Sequence, residues 1–85
     1  MKLVETSKFR KLRKKIRQEQ EREELKKAIK KVLKNPTSGK KLKGEFKELR
    51  SLGYTVIGLS RRLIYKAEPD IIILFSFGPR EGIYK

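Results

Sequence analysis

The last eleven residues of the chain, FSFGPREGIYK, place charged and phenolic groups directly after an apolar run. The run stops at Gly78-Pro79, and Arg80, Glu81 and Tyr84 follow it. Another arginine, Arg62, lies at the start of an earlier apolar segment. Guanidinium groups match phosphate oxygens and stay charged at any working pH. Either arginine alone is typical of a solvated strand end, but the two together indicate a site for a phosphate-containing ligand.

Composition limits the chemistry that such a site can use. The chain has no Cys and no His, which removes thiolate nucleophiles, disulfides and the most common metal ligand. We therefore expect no metal and no cofactor. The longest apolar run, 71–75, is too short to span a membrane, and the first residues lack the apolar stretch of a signal peptide. A single cytoplasmic domain, 1–85, is expected.

The net charge points to the class of partner. Lys and Arg number 24 against 10 Asp and Glu, a formal net charge of +14. An excess of one sign favours a polyanion such as nucleic acid, or an acidic protein, over a merely solubilising surface. No acidic residue interrupts the stretch 6–18. Its lysines are therefore candidates for contacts with RNA phosphates: Lys11, Lys14 and Lys15.

Hydrophobic periodicity predicts the elements that hold these groups. Residues 6–34 contain no Gly or Pro and carry two apolar stripes, one on each side of a wholly polar stretch, 17–24. The stripes are half a turn out of phase at about 100° per residue. This favours a helical hairpin with its joint near 17–21, although one continuous helix remains an alternative. Thr6 or Ser7 can cap the start.

The sequence of the second half of the chain predicts β-strands. Segments 46–58, 61–67 and 71–77 are strand-like, and the turn at 68–70 predicts that the last two pair as a hairpin. Residue 62 then lies beside residue 76 or further on, at the end of the sheet where 78–80 lie. A short first strand at Leu3-Val4 is expected as well. The fold class is α+β, a helical hairpin packed on a small, mainly antiparallel sheet.

The order of three short motifs resembles the RelE/ParE superfamily of toxins from bacterial and archaeal toxin–antitoxin pairs. The motifs are NPTSGKKLKG at 35–44, RRLIY at 61–65 and IIILFSFGPREGIY at 71–84. The resemblance covers essentially the whole chain and implies a microbial-type RNase fold. It implies a cognate RelB-like antitoxin, with the ribosome and mRNA as further partners. RelE-type members cut mRNA in the ribosomal A site, whereas ParE-type members inhibit DNA gyrase without nuclease chemistry.

The resemblance also assigns roles to residues. It implies that Arg62 and Arg80 hold the scissile phosphate and that Tyr84 takes part in cleavage or stacking. RelE-type enzymes use lysines on the strand before the strand arginine, but this chain is several residues longer there, so the register is open. The candidates are Lys43 and Lys47, with Arg50 as a third. The remaining candidates for RNA contact in this half are Lys40, Lys41 and Arg61.

Metal-free RNA cleavage by the 2′-hydroxyl needs a base, a cluster of cations and an acid. Tyr or Lys can act as a base only if neighbouring cations lower its pKa. Glu81 is a rival base, although it could instead pair with an arginine, and Tyr84 could instead cover the edge of the core. The sequence thus predicts a ribosome-dependent mRNA endonuclease. The alternatives are a gyrase inhibitor and a basic RNA-binding module with no activity.

Overall fold

The computed structural model describes residues 2–79. Two helices pack on a five-stranded mixed sheet whose strand order is β1-β5-β4-β3-β2. The elements in chain order are β1 (Lys2–Glu5), α1 (Ser7–Lys14), α2 (Glu19–Lys34), β2 (Lys40–Lys41), β3 (Arg50–Val56), β4 (Leu59–Ala67) and β5 (Ile71–Pro79). This architecture confirms the predicted α+β class. Neither helix within 2–79 has the length and apolar character needed to cross a lipid bilayer.

The two helices confirm the hairpin rather than one continuous helix. Thr6 caps α1, because its Oγ1 accepts a hydrogen bond from the Phe9 amide at 3.2 Å and donates one to the Phe75 carbonyl at 3.0 Å. The joint is 15–18, about two residues earlier than the polar stretch predicted. The Arg22 guanidinium satisfies the Ile16 carbonyl there at 3.2 Å, a contact that periodicity does not reveal.

The sheet confirms the β4–β5 hairpin and corrects the start of β3. Arg62 lies beside Gly78, and β1 pairs in parallel with β5. The strand predicted from residue 46 begins at Arg50, because Gly44, with φ +69°, starts a 3₁₀ turn over Gly44–Phe46. β2 was not predicted, since two lysines have no strand-like period of their own.

The core lies between the two helices and one face of the sheet. Both helices pack on one face, where Phe9, Leu63 and Tyr65 are fully buried and the Phe9 and Phe77 rings meet edge to face, 5.1 Å between centroids. The predicted alternation along β4 is confirmed, because Arg62 and Ile64 lie on the opposite face. We call that opposite face the outer face.

Candidate nucleic-acid interface

Arg62 lies between two glycines on the outer face. It is paired with Gly53 of β3 on one side and Gly78 of β5 on the other. Its Nη1 lies 3.8 Å from the point that a Cβ on Gly53 would occupy, so the guanidinium extends over the glycine backbone. The side chain lines a shallow depression of about 210 Å³. We call it the Arg62 depression; it is lined by Gly53, Tyr54, Thr55, Ser60, Arg61 and Arg62.

The two neighbouring arginines of β4 have different electrostatic surroundings. Arg61 points to the helices, where its Nη1 lies 3.4 Å from a Glu21 carboxylate oxygen. Within the described part of the chain, Arg62 has no carboxylate at ion-pair distance. An unneutralised, half-buried guanidinium attracts a phosphate more strongly than a paired one. The role of Arg61 in RNA contact remains a prediction, and its charge is already balanced.

The lysine candidates lie away from Arg62. Lys43 and Lys47 flank the 3₁₀ turn before β3, rather than standing on the strand. The β3 residues on the outer face near Arg62 are Ser51, Gly53 and Thr55. Lys47 instead lines a larger depression of about 550 Å³ near Lys66, about 13 Å along β4 from Arg62 at 3.3 Å per residue. That depression is lined by Lys41, Leu42, Lys47, Glu48, Arg50, Lys66 and Ala67.

Arg50 belongs to a compact hydrogen-bonded cluster. Its Nη1 donates to the Gly39 carbonyl at 2.8 Å, and the Gly39 amide donates to the Tyr65 hydroxyl at 2.8 Å. That hydroxyl donates in turn to the Pro36 carbonyl at 2.8 Å. We call this cluster the Gly39 corner. Hydrophobic periodicity does not reveal this cluster, although Gly39 and Tyr65 both lie in motifs visible in the sequence, 35–44 and 61–65.

The remaining basic candidates are solvent-facing. Lys40 and Lys41 form the edge strand β2, opposite Ser51 and Arg50, and both are exposed. On α1 and just after it, the side chains of Lys11, Lys14 and Lys15 are exposed.

The arginines of α1 are partly neutralised. Arg10 and Arg13 both bind Glu5, at 3.2 Å and 2.8 Å, and the hydrogen bond from Arg13 is the main cause that lowers the pKa of that carboxyl. Lys11, Lys14 and Lys15 have no ion pair among the described residues, and their contact with phosphates remains a prediction.

Tyr54, which lines the Arg62 depression, is poorly suited to act as a base. Burial raises the pKa of Tyr54 to about 12, and its buried hydroxyl has no hydrogen-bond partner within 2–79. It stays protonated at neutral pH. Arg80, Glu81 and Tyr84, which the sequence analysis named, lie outside the described residues. Their roles remain predictions.

Comparisons with known proteins agree with this fold. A family model described as ParE-like toxin of type II bacterial toxin–antitoxin system matches residues 3–85. A chain of the intact E. coli RelBE toxin–antitoxin complex superposes with a TM-score of 0.74 at 24% identity, covering 94% of this chain and 96% of that one. No curated protein matches. The fold is that of the RelE/ParE superfamily. The chain belongs to the ParE-like toxin family of type II toxin–antitoxin systems.

Proposed function

We propose that this toxin is a metal-independent endoribonuclease that cuts mRNA in the ribosomal A site and so stops translation. The observation that carries the proposal is Arg62, whose guanidinium lies over a glycine backbone in an open depression and has no carboxylate at ion-pair distance within 2–79. Glycines at positions 53 and 78 leave space on both sides for a phosphate to approach the fork of the guanidinium.

In the proposed cleavage step, an mRNA 2′-hydroxyl attacks the adjacent phosphate and the bond from phosphorus to the 5′-oxygen of the next nucleotide breaks, which leaves a 2′,3′-cyclic phosphate. A protonated tyrosine or lysine supplies the proton that the leaving 5′-oxygen takes up. Arg62, with Arg80 as the resemblance implies, stabilises the charge that builds on the phosphate oxygens. Tyr84, Glu81 or a lysine removes the hydroxyl proton. With weak acids and bases only, positioning of the substrate must supply much of the rate. We therefore expect cleavage to depend on the ribosome, which the exposed lysines of α1 would contact through its RNA.

The partner that silences the toxin is proposed to be a RelB-like antitoxin. The E. coli chain of similar fold was solved in a toxin–antitoxin complex, and a net charge of +14 favours an acidic binding segment. A cytoplasmic location follows from the same proposal, since ribosomes, mRNA and antitoxin would meet there.

A second candidate function is inhibition of DNA gyrase without nuclease chemistry. Two observations favour it. The matching family is described as ParE-like, and the β3 residues beside Arg62 are Ser51, Gly53 and Thr55 rather than lysines. A single described cation supplies less stabilisation of a phosphorane-like charge than a cluster would.

The test uses programmed ribosomes carrying a defined mRNA, with cleavage sites mapped by primer extension. We expect wild-type protein to cut in the A site, and Arg62→Ala to cut about 100-fold more slowly, as is typical when one charge-stabilising donor is removed. Lys30→Ala, which removes an equal charge from the exposed side of α2, is the matched control and should retain activity. Free RNA without ribosomes should remain intact.

A space-filling arm separates the two candidates. Gly53→Val puts a branched side chain directly beside Arg62, in the space that Gly53 leaves for a phosphate, and for a nuclease we expect it to lower the cleavage rate several-fold. If a folded, ribosome-binding wild-type protein cuts nothing, the endonuclease proposal is wrong. Inhibition of gyrase supercoiling by the same preparation would then establish the second candidate.

A further inference from the structure

The β3–β4 hairpin continues well past Arg62. Three further residue pairs follow the Gly53–Arg62 pair, and they end at Val56 opposite Leu59. At about 3.3 Å per residue the extension is about 10 Å long. A two-residue turn closes it, with φ +47° at Ile57 and +77° at Gly58. Positive φ at both positions is the type I′ geometry that matches strand twist. We call this two-stranded extension, formed by 54–56 and 59–61, the shelf.

The outer face of this shelf carries two hydroxyl groups next to the cation. Thr55 and Ser60 lie directly opposite each other and share that face with Arg62, because side chains two apart on a strand point the same way. Both residues are exposed, and both line the Arg62 depression. Each hydroxyl can donate one hydrogen bond and accept others. The depression therefore combines one phosphate-binding group with two neutral groups suited to hydrogen-bond readout.

The size of the depression limits what it can hold. About 210 Å³ is less than the 300–1,000 Å³ typical of clefts that enclose whole drug-sized ligands. It suits part of a nucleotide, such as one base, beside a phosphate held by the arginine. Proteins read single-stranded RNA through the hydrogen-bonding edges of unstacked bases. Two arginines line the depression, but Arg61 is already paired with Glu21. An acidic peptide would need more than one unpaired cation in this space.

We propose that Thr55 and Ser60 form a base-reading subsite for the nucleotide whose phosphate Arg62 binds. The inference rests on the proposed RNA-directed function and adds a source of sequence preference within the toxin itself. Two neutral hydroxyls discriminate among bases by the hydrogen bonds that they make to base edges. We expect a preference of about tenfold for one base over the least favoured one, which corresponds to about 1.4 kcal/mol.

The first test needs no cleavage. The ¹⁵N-labelled protein is titrated with the four nucleoside monophosphates and, separately, with inorganic phosphate. We expect amide shifts around residues 53, 55, 60 and 62, and an affinity spread of about tenfold among the bases. Thr55→Val combined with Ser60→Ala should reduce that spread to less than about twofold, with the affinity for inorganic phosphate unchanged.

Controls make this result specific to the subsite. Thr37→Val removes a hydroxyl that bonds Asn35, away from the depression, and should preserve the spread. A thermal melt confirms that each variant is folded. Equal affinities for all four bases in wild type, absence of binding, or retention of the preference by the double variant would each overturn the subsite.

A second test separates the subsite from the endonuclease proposal. Cleavage positions are mapped across many codons on ribosomes, for wild type and for the double variant. Cleavage with an unchanged codon profile in the variant refutes the subsite and leaves the endonuclease standing. If instead the free protein discriminates among the bases but no mRNA is cut on ribosomes, the subsite is established and the endonuclease proposal fails.

Discussion

The Gly39 corner and the Arg62 depression each place an arginine beside a glycine, but the two arginines differ in their partners within 2–79. In each, an arginine of the sheet approaches a glycine backbone. At the corner, Arg50 donates to the Gly39 carbonyl, and the Tyr65 hydroxyl fills the space where a Cβ would be. In the depression, Arg62 extends over Gly53 with no carboxylate at ion-pair distance within 2–79.

The difference shows that hydrogen-bond and ion-pair partners within 2–79, rather than residue type, distinguish Arg50 from Arg62. Arg50 was proposed from the sequence as an RNA contact, yet one of its guanidinium nitrogens holds the loop that leads to β2. Arg62 has no side-chain hydrogen bond or ion pair within residues 2–79, and its role in binding remains a prediction. We therefore expect damage at the corner to appear in the free energy of unfolding, and damage in the depression to appear in activity.

The largest effect on the free energy of unfolding is expected when Gly39 is replaced. Gly39→Ala puts a Cβ 2.6 Å from the Tyr65 hydroxyl oxygen, so the hydrogen bonds of that hydroxyl must break or the loop must shift. We expect a loss of about 3 kcal/mol in the free energy of unfolding. Gly53→Ala is the matched control, because its Cβ would find the nearest atom at 3.8 Å, an ordinary contact. Urea denaturation of both variants checks this, and equal losses would erase the contrast.

Replacing the two arginines should give a smaller difference in the free energy of unfolding, and again the variant at the Gly39 corner should be the less stable one. Arg50→Ala leaves the Gly39 carbonyl without its charged donor, and we expect it to lower the free energy of unfolding by about 2 kcal/mol. Arg62→Ala removes no described ion pair and should change it by less than about 0.5 kcal/mol. Denaturation curves at neutral pH are the measurement. A loss at Arg62 as large as that at Arg50 would assign Arg62 a structural role.

The turn beyond Arg62 offers a stabilising change. Ile57 is the only non-glycine residue with positive φ among the described ones, at +47°, and it is 62% exposed. A β-branched side chain is strained in that region, whereas Asn adopts it readily. Ile57→Asn should therefore raise the free energy of unfolding by about 1 kcal/mol, which thermal melting would detect. A lower melting temperature would mean that the exposed isoleucine makes a stabilising contact.

The smallest effect appears only at high pH. Burial raises the pKa of Tyr54 to about 12, above its ordinary value of 10. A group with a raised pKa stabilises the native state fully below pH 10, and this stability is lost as the pH rises from 10 through 12. Tyr54→Phe should consequently show a weaker fall in melting temperature between pH 9 and pH 11 than wild type. Parallel curves for the two proteins would contradict the burial of the phenol.

Periodicity predicted the parts of the fold whose side chains alternate between core and solvent. The two helical stripes and the β4–β5 hairpin follow from the apolar residues alone. The same residues predict that the side chains of Arg62 and Leu63 lie on different faces of the sheet. Periodicity did not predict two short elements before β3. The 3₁₀ turn at Gly44 and the two-residue strand β2 depend on backbone pairing, which leaves no period in the sequence.

The candidate site was predictable only in part, for a related reason. Hairpin pairing was sufficient to bring Arg62 next to Gly78. The position of the lysines required the true start of β3, because a strand beginning at Arg50 leaves Lys47 in the preceding turn. The Gly39 corner joins residues 26 apart through one hydroxyl, and no local pattern specifies such a contact.

The parallel pairing of β1 with β5 determines when the molecule can be completed during synthesis. β1 emerges first, but its partner is Ile71–Pro79, near the end of the chain. Contacts so distant in sequence form only after a long loop has closed at an entropic cost. The same late strand places Gly78 beside Arg62. The described surroundings of Arg62 are therefore completed only after residues 71–79 have been synthesised, later than the other described strands.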